Sequence, residues 1–330
     1  MPEHLLHWDA RALWAQLEPL LPGLSVEVLE RTASTNTAIL ERARVAPLQE
    51  PQGPQDKPLA IVRRSVESAA FGRRSADVAP CLLVAEQQTG GRGRQGRVWR
   101  SAAGASLTFS LALPLRVADL SGLSLAVGGA VADALDPGAC TGPPEPRLPR
   151  IGLKWPNDLW LMDGAGAGRK LGGILIETVA AGAHRLAVIG IGLNVKPMEV
   201  SDANSGFACL RELYPAASAP AMLRQVALPL VLALRQFERE GFAAFTDRFG
   251  ARDLLRGHPV RTTQPDVPEG VAQGVSAQGA LLVQTASGLR PVSSGEVSVR
   301  LNFPAGRAMA TRPGVAQGVP PDAALVQRPC

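Results

Sequence analysis

Apolar positions divide the first 46 residues into a helix, a strand and a second helix. Over residues 6–21 apolar side chains recur at helical spacing, which predicts an amphipathic helix rather than a secretory signal, because no basic start precedes it. The apolar face of this helix consists of Leu6, Leu13, Trp14, Leu17 and Leu21. The next residues predict a strand over 26–29 and a helix that begins near Asn36, with Ser34 or Thr35 as its cap.

A polar stretch separates this part from the next apolar pattern. Residues 47–80 are rich in Pro, Gln and Ser and contain two doubled arginines, so we expect an exposed insertion. From Cys81 the sequence predicts a strand, a glycine–arginine loop, a second strand over 106–113 and a helix. One face of that helix consists of Leu120, Leu123, Val127, Val131 and Leu135. Residues 136–150, rich in Pro and Gly, predict another loop.

Three β-like runs follow, over residues 151–162, 170–179 and 184–195. Because short connections join them, they predict antiparallel hairpins in the main sheet. Residues 219–250 predict two helical stretches, the first interrupted by Pro229. Beyond Gly257, short alternating segments with glycine turns predict a small barrel. We therefore expect a main domain over 1–254, a barrel over 255–303 and a disordered tail over 304–330.

Composition limits the partners of this chain. With 330 residues and 46% hydrophobic content it can bury a core. The net charge of +5 points weakly to an anionic ligand, whereas an aromatic content of 4% offers few platforms for stacking nucleic-acid bases. The four cysteines have no metal-binding spacing, and no apolar run is long enough to cross a membrane. We expect a cytoplasmic protein whose side chains form no metal site.

The glycine–arginine loop at residues 90–100 carries the strongest chemical signal. Its glycines match the spacing of a dinucleotide-binding turn, but a strand follows where that fold needs a helix, and no acidic residue lies between Arg97 and Asp119. Its basic side chains are Arg92, Arg94, Arg97 and Arg100. Arginines on flexible backbone favour binding of phosphate or carboxylate, although a solvated basic turn or an RNA-binding tract would look the same.

Three further stretches place polar groups at the ends of apolar strands. Their polar residues are Lys154, Asn157 and Asp158 around a proline-restricted kink, Lys170 just before a core strand, and Asn194 at a strand end. The stretch with Lys170 also contains Gly172 and Gly173, which let another group pack against the backbone. Taken singly, each stretch is typical of an ordinary turn, with Trp155 and Trp160 in the core.

Together these stretches resemble a known family. The segments STN (34–36), EQQTGGRGRQGRVW (86–99), KWPNDL (154–159), KLGGILIE (170–177) and GIGLNV (190–195) occur in the order found in biotin–protein ligases, which attach biotin to biotin-dependent carboxylases. SSGEVSVR (293–300) resembles the ending of the same family. The resemblance extends over residues 25–300, and the insertions at 47–80 and 138–150 exceed the family pattern.

This resemblance implies an α+β fold. It consists of a mixed, largely antiparallel sheet with flanking helices, like that of class II aminoacyl-tRNA synthetases and biotin synthetases, and a small C-terminal Src-homology-3-like β-barrel. Because 33 residues precede Ser34, we expect a short form without the N-terminal DNA-binding domain of some relatives.

The resemblance also implies which residues bind the substrates. Those of the biotin site are Ser34, Thr35, Asn36, Gln88, Gly91, Arg92, Gly93, Arg94, Lys170 and Gly172. Those on the nucleotide side are Arg94, Arg97, Trp99, Asn157, Lys170 and Asn194. The implied catalytic residues are Lys170, Arg94 and Asp158, with Asp158 near the ureido ring of biotin.

The implied reaction uses biotin, ATP and Mg²⁺ in two steps. The carboxylate of biotin attacks the α-phosphate of ATP, which gives biotinyl-5′-AMP, and a lysine of a biotin carboxyl carrier protein then takes the biotinyl group. Because a carboxylate is already ionised at neutral pH, the first step needs cations rather than a base. We hypothesise that the basic loop is mobile when empty and closes over the reactants, which would protect the adenylate from water.

Other functions fit part of this pattern. A lipoate or octanoate protein ligase of the related fold makes similar electrostatic demands, although the loop and KWPNDL favour biotin. A biotin-responsive regulator or an RNA-binding module could use the same arginines, but helix-turn-helix patterning is missing and aromatic residues are few. We therefore expect neither DNA nor a membrane as a partner, and a homodimer through a free sheet edge stays open.

Overall fold

The computed structural model describes residues 6–45, 67–71, 79–117, 119–138, 148–163, 168–181, 184–199, 206–293 and 299–301. Its helices are α1 (Ala10–Leu17), α2 (Thr35–Val45), α3 (Leu123–Leu135), α4 (Ala219–Glu240) and α5 (Thr246–Arg252). Its first ten strands are β1 (Ser25–Thr32), β2 (Glu67–Phe71), β3 (Cys81–Gln88), β4 (Gly91–Arg92), β5 (Val98–Trp99), β6 (Ser106–Pro114), β7 (Ile151–Lys154), β8 (Asp158–Met162), β9 (Gly168–Ala181) and β10 (His184–Asn194). The last five are β11 (Pro259–Thr262), β12 (Glu269–Val275), β13 (Leu281–Thr285), β14 (Gly288–Val292) and β15 (Val299–Leu301).

An eight-stranded sheet in the order β2-β1-β3-β6-β10-β9-β8-β7 forms the centre of the main domain. Strands β1 and β3 are parallel, and all other neighbours are antiparallel. The antiparallel hairpins predicted over residues 151–195 are confirmed. The first predicted run divides into β7 and β8, because Pro156 lacks an N–H donor and the chain turns there.

Helices cover both faces of this sheet. On β10, Ile189 and Ile191 face a large core shared with α1, α3 and α4, whereas Leu186 and Val188 face a smaller core under α2. Successive side chains of a strand point to opposite faces, so a strand covered on both sides is apolar at nearly every position. This explains the uninterrupted apolar runs in β3 and β10. Among the helices of the described residues, none combines the length and the apolar character needed to cross a membrane.

The range predicted as an exposed insertion contains a strand. Strand β2 lies at the edge of the main sheet and pairs antiparallel with β1, with Val26 opposite Phe71. The strand was not predicted because its five residues lie within a longer stretch of polar composition. The remainder of that range, 47–66 and 72–78, lies outside the described residues, as do 139–147 of the second predicted insertion.

Helix α4 continues through Pro229 as a single helix of 22 residues, so the predicted interruption is wrong. Proline removes one backbone hydrogen bond inside a helix. The buried side chains on both sides of it, including Val226 and Leu230, pack into the large core and hold the helix together.

The C-terminal part forms a five-stranded antiparallel sheet in the order β14-β13-β12-β11-β15. It contacts the main domain closely, because Trp155 Nε1 donates to the Gly279 carbonyl at 3.0 Å. Leu281 and Val283 also belong to the core of the main domain. A boundary at residues 254 and 255 stays a prediction, and the predicted tail over 304–330 lies outside the described residues.

A buried ion-pair network joins α3, α5 and β7. The Arg252 guanidinium, 2% exposed, donates to the Asp136 carboxylate at 3.2 Å and to the Ile151 carbonyl at 2.8 Å. In Arg252→Ala, the buried Asp136 would lose its main counter-charge, so we expect the free energy of unfolding in urea to fall by about 3 kcal/mol. Arg248→Ala removes an exposed pair with Asp133 and should cost about 0.5 kcal/mol. Equal losses in the two variants would contradict a special role of the buried pair.

Candidate active site

The glycine–arginine loop folds as a hairpin, called here the basic hairpin and formed by residues 91–99. Strands β4 and β5 pair, and Gly93 N donates to the Arg97 carbonyl at 2.7 Å. A side chain at Gly91 would place its Cβ 2.4 Å from the Trp99 carbonyl oxygen, so the pairing requires glycine there. The turn has positive φ at Gln95 and Gly96. Its mobility in the empty protein stays a prediction.

Arg94 is the most enclosed arginine of the basic hairpin, whereas Arg92 and Arg97 are exposed. Burial lowers the pKa of the Arg94 guanidinium from its ordinary value, the nearby Asp158 carboxylate raises this pKa, and Arg97 lowers it further. An arginine stays protonated at neutral pH even so. Arg94 is therefore a cation that water screens only in part and that lies near enough to Asp158 to interact with its charge.

A buried polar cluster lies at the start of α2, next to the hairpin. Gln88 Oε1 accepts from Thr35 N at 2.7 Å and from Thr35 Oγ1 at 3.2 Å. Ser110 Oγ lies 2.6 Å from both Thr35 Oγ1 and Asn36 Oδ1. Ser34 Oγ accepts weakly from Thr37 N at 3.4 Å, as expected of the cap residue. The predicted biotin-site residues of α2 and β3 are thus brought together.

Two glycines, Gly190 and Gly172, make room for groups packed next to them in and beside this cluster. A Cβ at Gly190 would lie 2.4 Å from Asn36 Oδ1, so the Asn36 side chain occupies the space that any other residue would fill. A Cβ at Gly172 would lie 2.7 Å from the Gly192 carbonyl oxygen on β10. The missing side chain at Gly190 therefore makes room for Asn36 of α2, and the one at Gly172 makes room for β10.

Asp158 and Lys170 form an ion pair on neighbouring strands. Lys170 Nζ lies 2.7 Å from Asp158 Oδ1, with side-chain exposures of 30% and 17%. Gly173 lies opposite Asp158 on β9, and a Cβ added there would make only ordinary van der Waals contact, 3.6 Å from Asp158 Oδ1. The Asp158 carboxylate also acts on the Arg94 guanidinium, so the three predicted catalytic residues lie near one another.

The predicted nucleotide-side asparagines use their amide donors within the protein. Asn157 Nδ2 donates to the Ile174 carbonyl at 2.8 Å. Asn194 Nδ2 donates to the carbonyls of Ala208 at 3.0 Å and Lys170 at 3.3 Å. Both side chains therefore hold the backbone around Lys170, and direct contact with a nucleotide stays a prediction.

Trp99 packs against the end of β10. A Cβ at Gly192 would lie 2.4 Å from Trp99 Cε2, so the indole ring rests directly on glycine backbone. The buried indole nitrogen has no hydrogen-bond partner among the described residues. An unsatisfied buried donor costs free energy unless a ligand or water supplies the acceptor.

A cavity of 280 Å³ separates the basic hairpin from β9. It is lined by Arg92, Gly93, Arg94, Gln95, Gly96, Leu175 and Glu177. Its walls are therefore mainly backbone and charged groups, which suits a polar anion better than an apolar ligand.

The sequence interpretation missed three residues of this site, namely Ser110, Gly190 and Glu177. Ser110 and Gly190 lie inside strands whose mainly apolar sequence indicates core positions rather than a binding site. The polar residues Thr108 and Ser110 alternate within β6 and are both buried, a pattern that could have marked an internal polar face. Glu177 lies at the end of the quoted segment KLGGILIE, and no role was predicted for it.

Few side chains of the site could ligate a metal ion. Within the described ranges, no group of three or more His, Cys, Asp or Glu side chains could hold one. The Asp158 carboxylate, which acts on Arg94, already pairs with Lys170. The described side chains of the site therefore offer few ligands to a metal ion.

Two family profiles match the chain. That of the Biotin/lipoate A/B protein ligase family matches residues 73–194, and that of the Biotin protein ligase C terminal domain matches residues 257–300. The first range contains the basic hairpin, Asp158 and Lys170, and the second contains most of the C-terminal sheet.

Similar proteins agree with these matches. The bifunctional ligase/repressor BirA of Escherichia coli is 35% identical over 223 residues, which are 66% of this chain and 65% of that protein, so the chain spans somewhat less than two thirds of this relative's length. The biotin–[acetyl-CoA-carboxylase] ligase of Mycobacterium tuberculosis is 34% identical over 233 residues, which are 67% of this chain and 80% of that protein. The structure of the Aquifex aeolicus biotin protein ligase in complex with biotin and ATP has a TM-score of 0.60 and 25% identity, and it covers 84% of this chain and 99% of that chain. This chain belongs to the biotin protein ligase family.

Proposed function

We propose that this protein activates biotin with ATP to biotinyl-5′-AMP and then transfers biotin to a lysine of a biotin carboxyl carrier protein. The observation that carries the proposal is the meeting of Arg94, Lys170 and Asp158 beside the basic hairpin and the buried polar cluster. Such a site has polar groups for a small acid and cations for the phosphates of a nucleotide.

In the first step an oxygen of the biotin carboxylate attacks the α-phosphorus of ATP, and pyrophosphate leaves with the electrons of the broken P–O bond. Two anions must approach each other, and at about 4 Å they repel by roughly 4 kcal/mol at an effective dielectric near 20. Arg94 and Lys170 supply opposing charge from two sides. The backbone N–H groups of the glycine-rich turn can also face the anions.

In the second step the acceptor lysine attacks the carbonyl carbon of the mixed anhydride, and AMP leaves. The attacking amine must lose a proton, since a free lysine has a pKa near 10.4. We infer that Asp158 receives this proton, because its carboxylate lies within the proposed site, 2.7 Å from the Lys170 ammonium group. Magnesium would enter as the magnesium complex of ATP and neutralise part of the phosphate charge.

The proposed partners are biotin, ATP and a carrier protein. The reaction as proposed involves neither DNA nor a membrane surface, and a homodimer through a sheet edge stays a prediction. Both cysteines of the described residues, Cys81 and Cys209, are buried and free, which suits the reducing cytoplasm. Burial raises the pKa of the Cys209 thiol, so it remains protonated at neutral pH.

The specificity of the first step provides the direct test. Exchange of labelled pyrophosphate into ATP should depend on biotin and should fall by at least about a hundredfold when lipoate replaces it. The reason is that a site built to hydrogen-bond the ureido group of biotin leaves its buried polar groups unpaired with lipoate. Exchange supported equally by lipoate would favour a lipoate ligase, and a lack of exchange with both acids would refute the proposal.

A further inference from the structure

The carboxylate of Glu177 connects the basic hairpin to the buried polar cluster. Arg92 Nη2 donates to Glu177 Oε1 at 3.0 Å and to Glu177 Oε2 at 2.8 Å. Asn36 Nδ2 donates to Glu177 Oε2 at 2.9 Å and to the Leu175 carbonyl at 3.1 Å. One carboxylate on β9 therefore binds both the hairpin and the first turn of α2.

An acidic side chain at this position opposes the attraction of anions by the hairpin. Glu177 lines the cavity beneath the hairpin, and a negative charge there weakens the positive potential that a carboxylate and phosphates would meet. Glu177 is one-quarter exposed, and its β10 partner Val188 already faces the smaller core. The packing of the main sheet therefore does not require a carboxylate at this position. Its presence is explained if it positions other groups.

The contacts of Glu177 also change the role expected of Arg92. The guanidinium of Arg92 is engaged with the sheet, and its distance to the carboxylate is that of a charge-assisted hydrogen bond. The predicted substrate-binding cations other than Arg92 are Arg94, Arg97 and Lys170, and Arg92 serves the site by fixing the backbone of β4. Arg92 thus differs from Arg94, which is enclosed and faces Asp158.

We propose that Glu177 is a positioning residue that latches the basic hairpin against β9 and aligns it with Asn36. The latch itself follows from the contacts of Glu177, whereas its consequence for the adenylate rests on the proposed function. When the latch is lost, the hairpin opens more often, and an enclosed intermediate escapes more often.

The first test measures opening of the hairpin in the ligand-free protein. In Glu177→Gln, the ion pair with Arg92 is lost while the amide oxygen can still accept from Asn36. Trypsin cleavage after Arg92, Arg94 and Arg97, followed by mass spectrometry, should become roughly five times faster, in keeping with a partly exposed ion pair. Glu238→Gln is the matched control, because Glu238 is a partly buried carboxylate that pairs with Arg235 at 2.8 Å far from the hairpin.

Salt concentration separates a latch from a general loss of stability. Ions screen exposed charge pairs, so cleavage of the unsubstituted protein should accelerate with sodium chloride, whereas Glu177→Gln should show little further change. Both variants should retain the melting temperature of the unsubstituted protein within about 3 °C. Equal cleavage of Glu177→Gln and the unsubstituted protein would overturn the latch.

The second test measures retention of the intermediate after biotin and ATP are mixed with the protein. The half-life of the bound adenylate should fall about fivefold in Glu177→Gln and stay unchanged in Glu238→Gln. Faster cleavage without faster loss of the adenylate would overturn the role of the latch in retention. If the unsubstituted protein forms no adenylate, the proposed function fails, while the cleavage experiment still decides whether Glu177 holds the hairpin.

Discussion

Replacing Lys170 with alanine is expected to slow biotin-dependent ATP–pyrophosphate exchange by about a thousandfold. The ammonium group lies 2.7 Å from Asp158 and is the cation nearest to that carboxylate in the site. Its removal has two effects of the same sign, because the reacting anions lose an attractive charge and meet the unpaired Asp158 carboxylate instead. The expected loss is therefore larger than that for an exposed arginine of the hairpin.

The double variant Lys170→Ala/Asp158→Asn tests this account of the charge balance. Because it removes the carboxylate that Lys170 had neutralised, exchange should recover by about tenfold relative to Lys170→Ala alone. Only the first step is assayed, so any role of Asp158 in the second step does not affect the result. A double variant as slow as the single one would contradict charge compensation, and normal exchange in Lys170→Ala would refute the role of Lys170.

The main sheet could be predicted because its signals are local. Strands β9 and β10 follow each other with a short connection, and their apolar runs have the length of strands. Strand β2 could not be found in this way, since five residues inside a polar range carry little periodic information. Helix α4 is a case in which tertiary packing outweighs the local effect of Pro229.

The candidate site was predictable as a set of motifs but not as a set of contacts. Residues such as Gln88 and Lys170 stand out because the family resemblance marks them. The contact between Asn36 and Glu177 joins residues that are 141 positions apart, and only the order of the strands brings them together. The same holds for Gly190, whose importance comes from the Asn36 side chain that fills its empty space.

The sequence also did not distinguish the four arginines of the loop from one another. All of them lie on glycine-rich backbone with no acidic residue between them. The structure separates them through their surroundings, because Arg92 pairs with Glu177, Arg94 is enclosed beside Asp158, and Arg97 is exposed. Differences of this kind arise from the fold of the hairpin against β9 and are not encoded in local spacing.

Replacing Arg94 with glycine is expected to release the adenylate while leaving its formation measurable. Arg94 is the enclosed cation of the basic hairpin, so bound anions should attract the hairpin mainly through this side chain. Without it the mixed anhydride reaches solvent and acylates exposed lysines of bystander proteins. We expect labelling of serum albumin, added to the reaction with biotin and ATP, to rise by about a hundredfold, while pyrophosphate exchange falls by about tenfold.

Arg100→Gly is the matched control, because Arg100 is exposed and lies just beyond the hairpin. Both variants replace one arginine with glycine, so their net charge changes equally. A difference in labelling between them therefore comes from the enclosed position of Arg94. Labelling of albumin by Arg100→Gly should stay close to that of the unsubstituted protein. If Arg94→Gly retained its adenylate as well as Arg100→Gly does, the hairpin would not be the part of the molecule that encloses the intermediate, and the cations of the site would act on the first step alone.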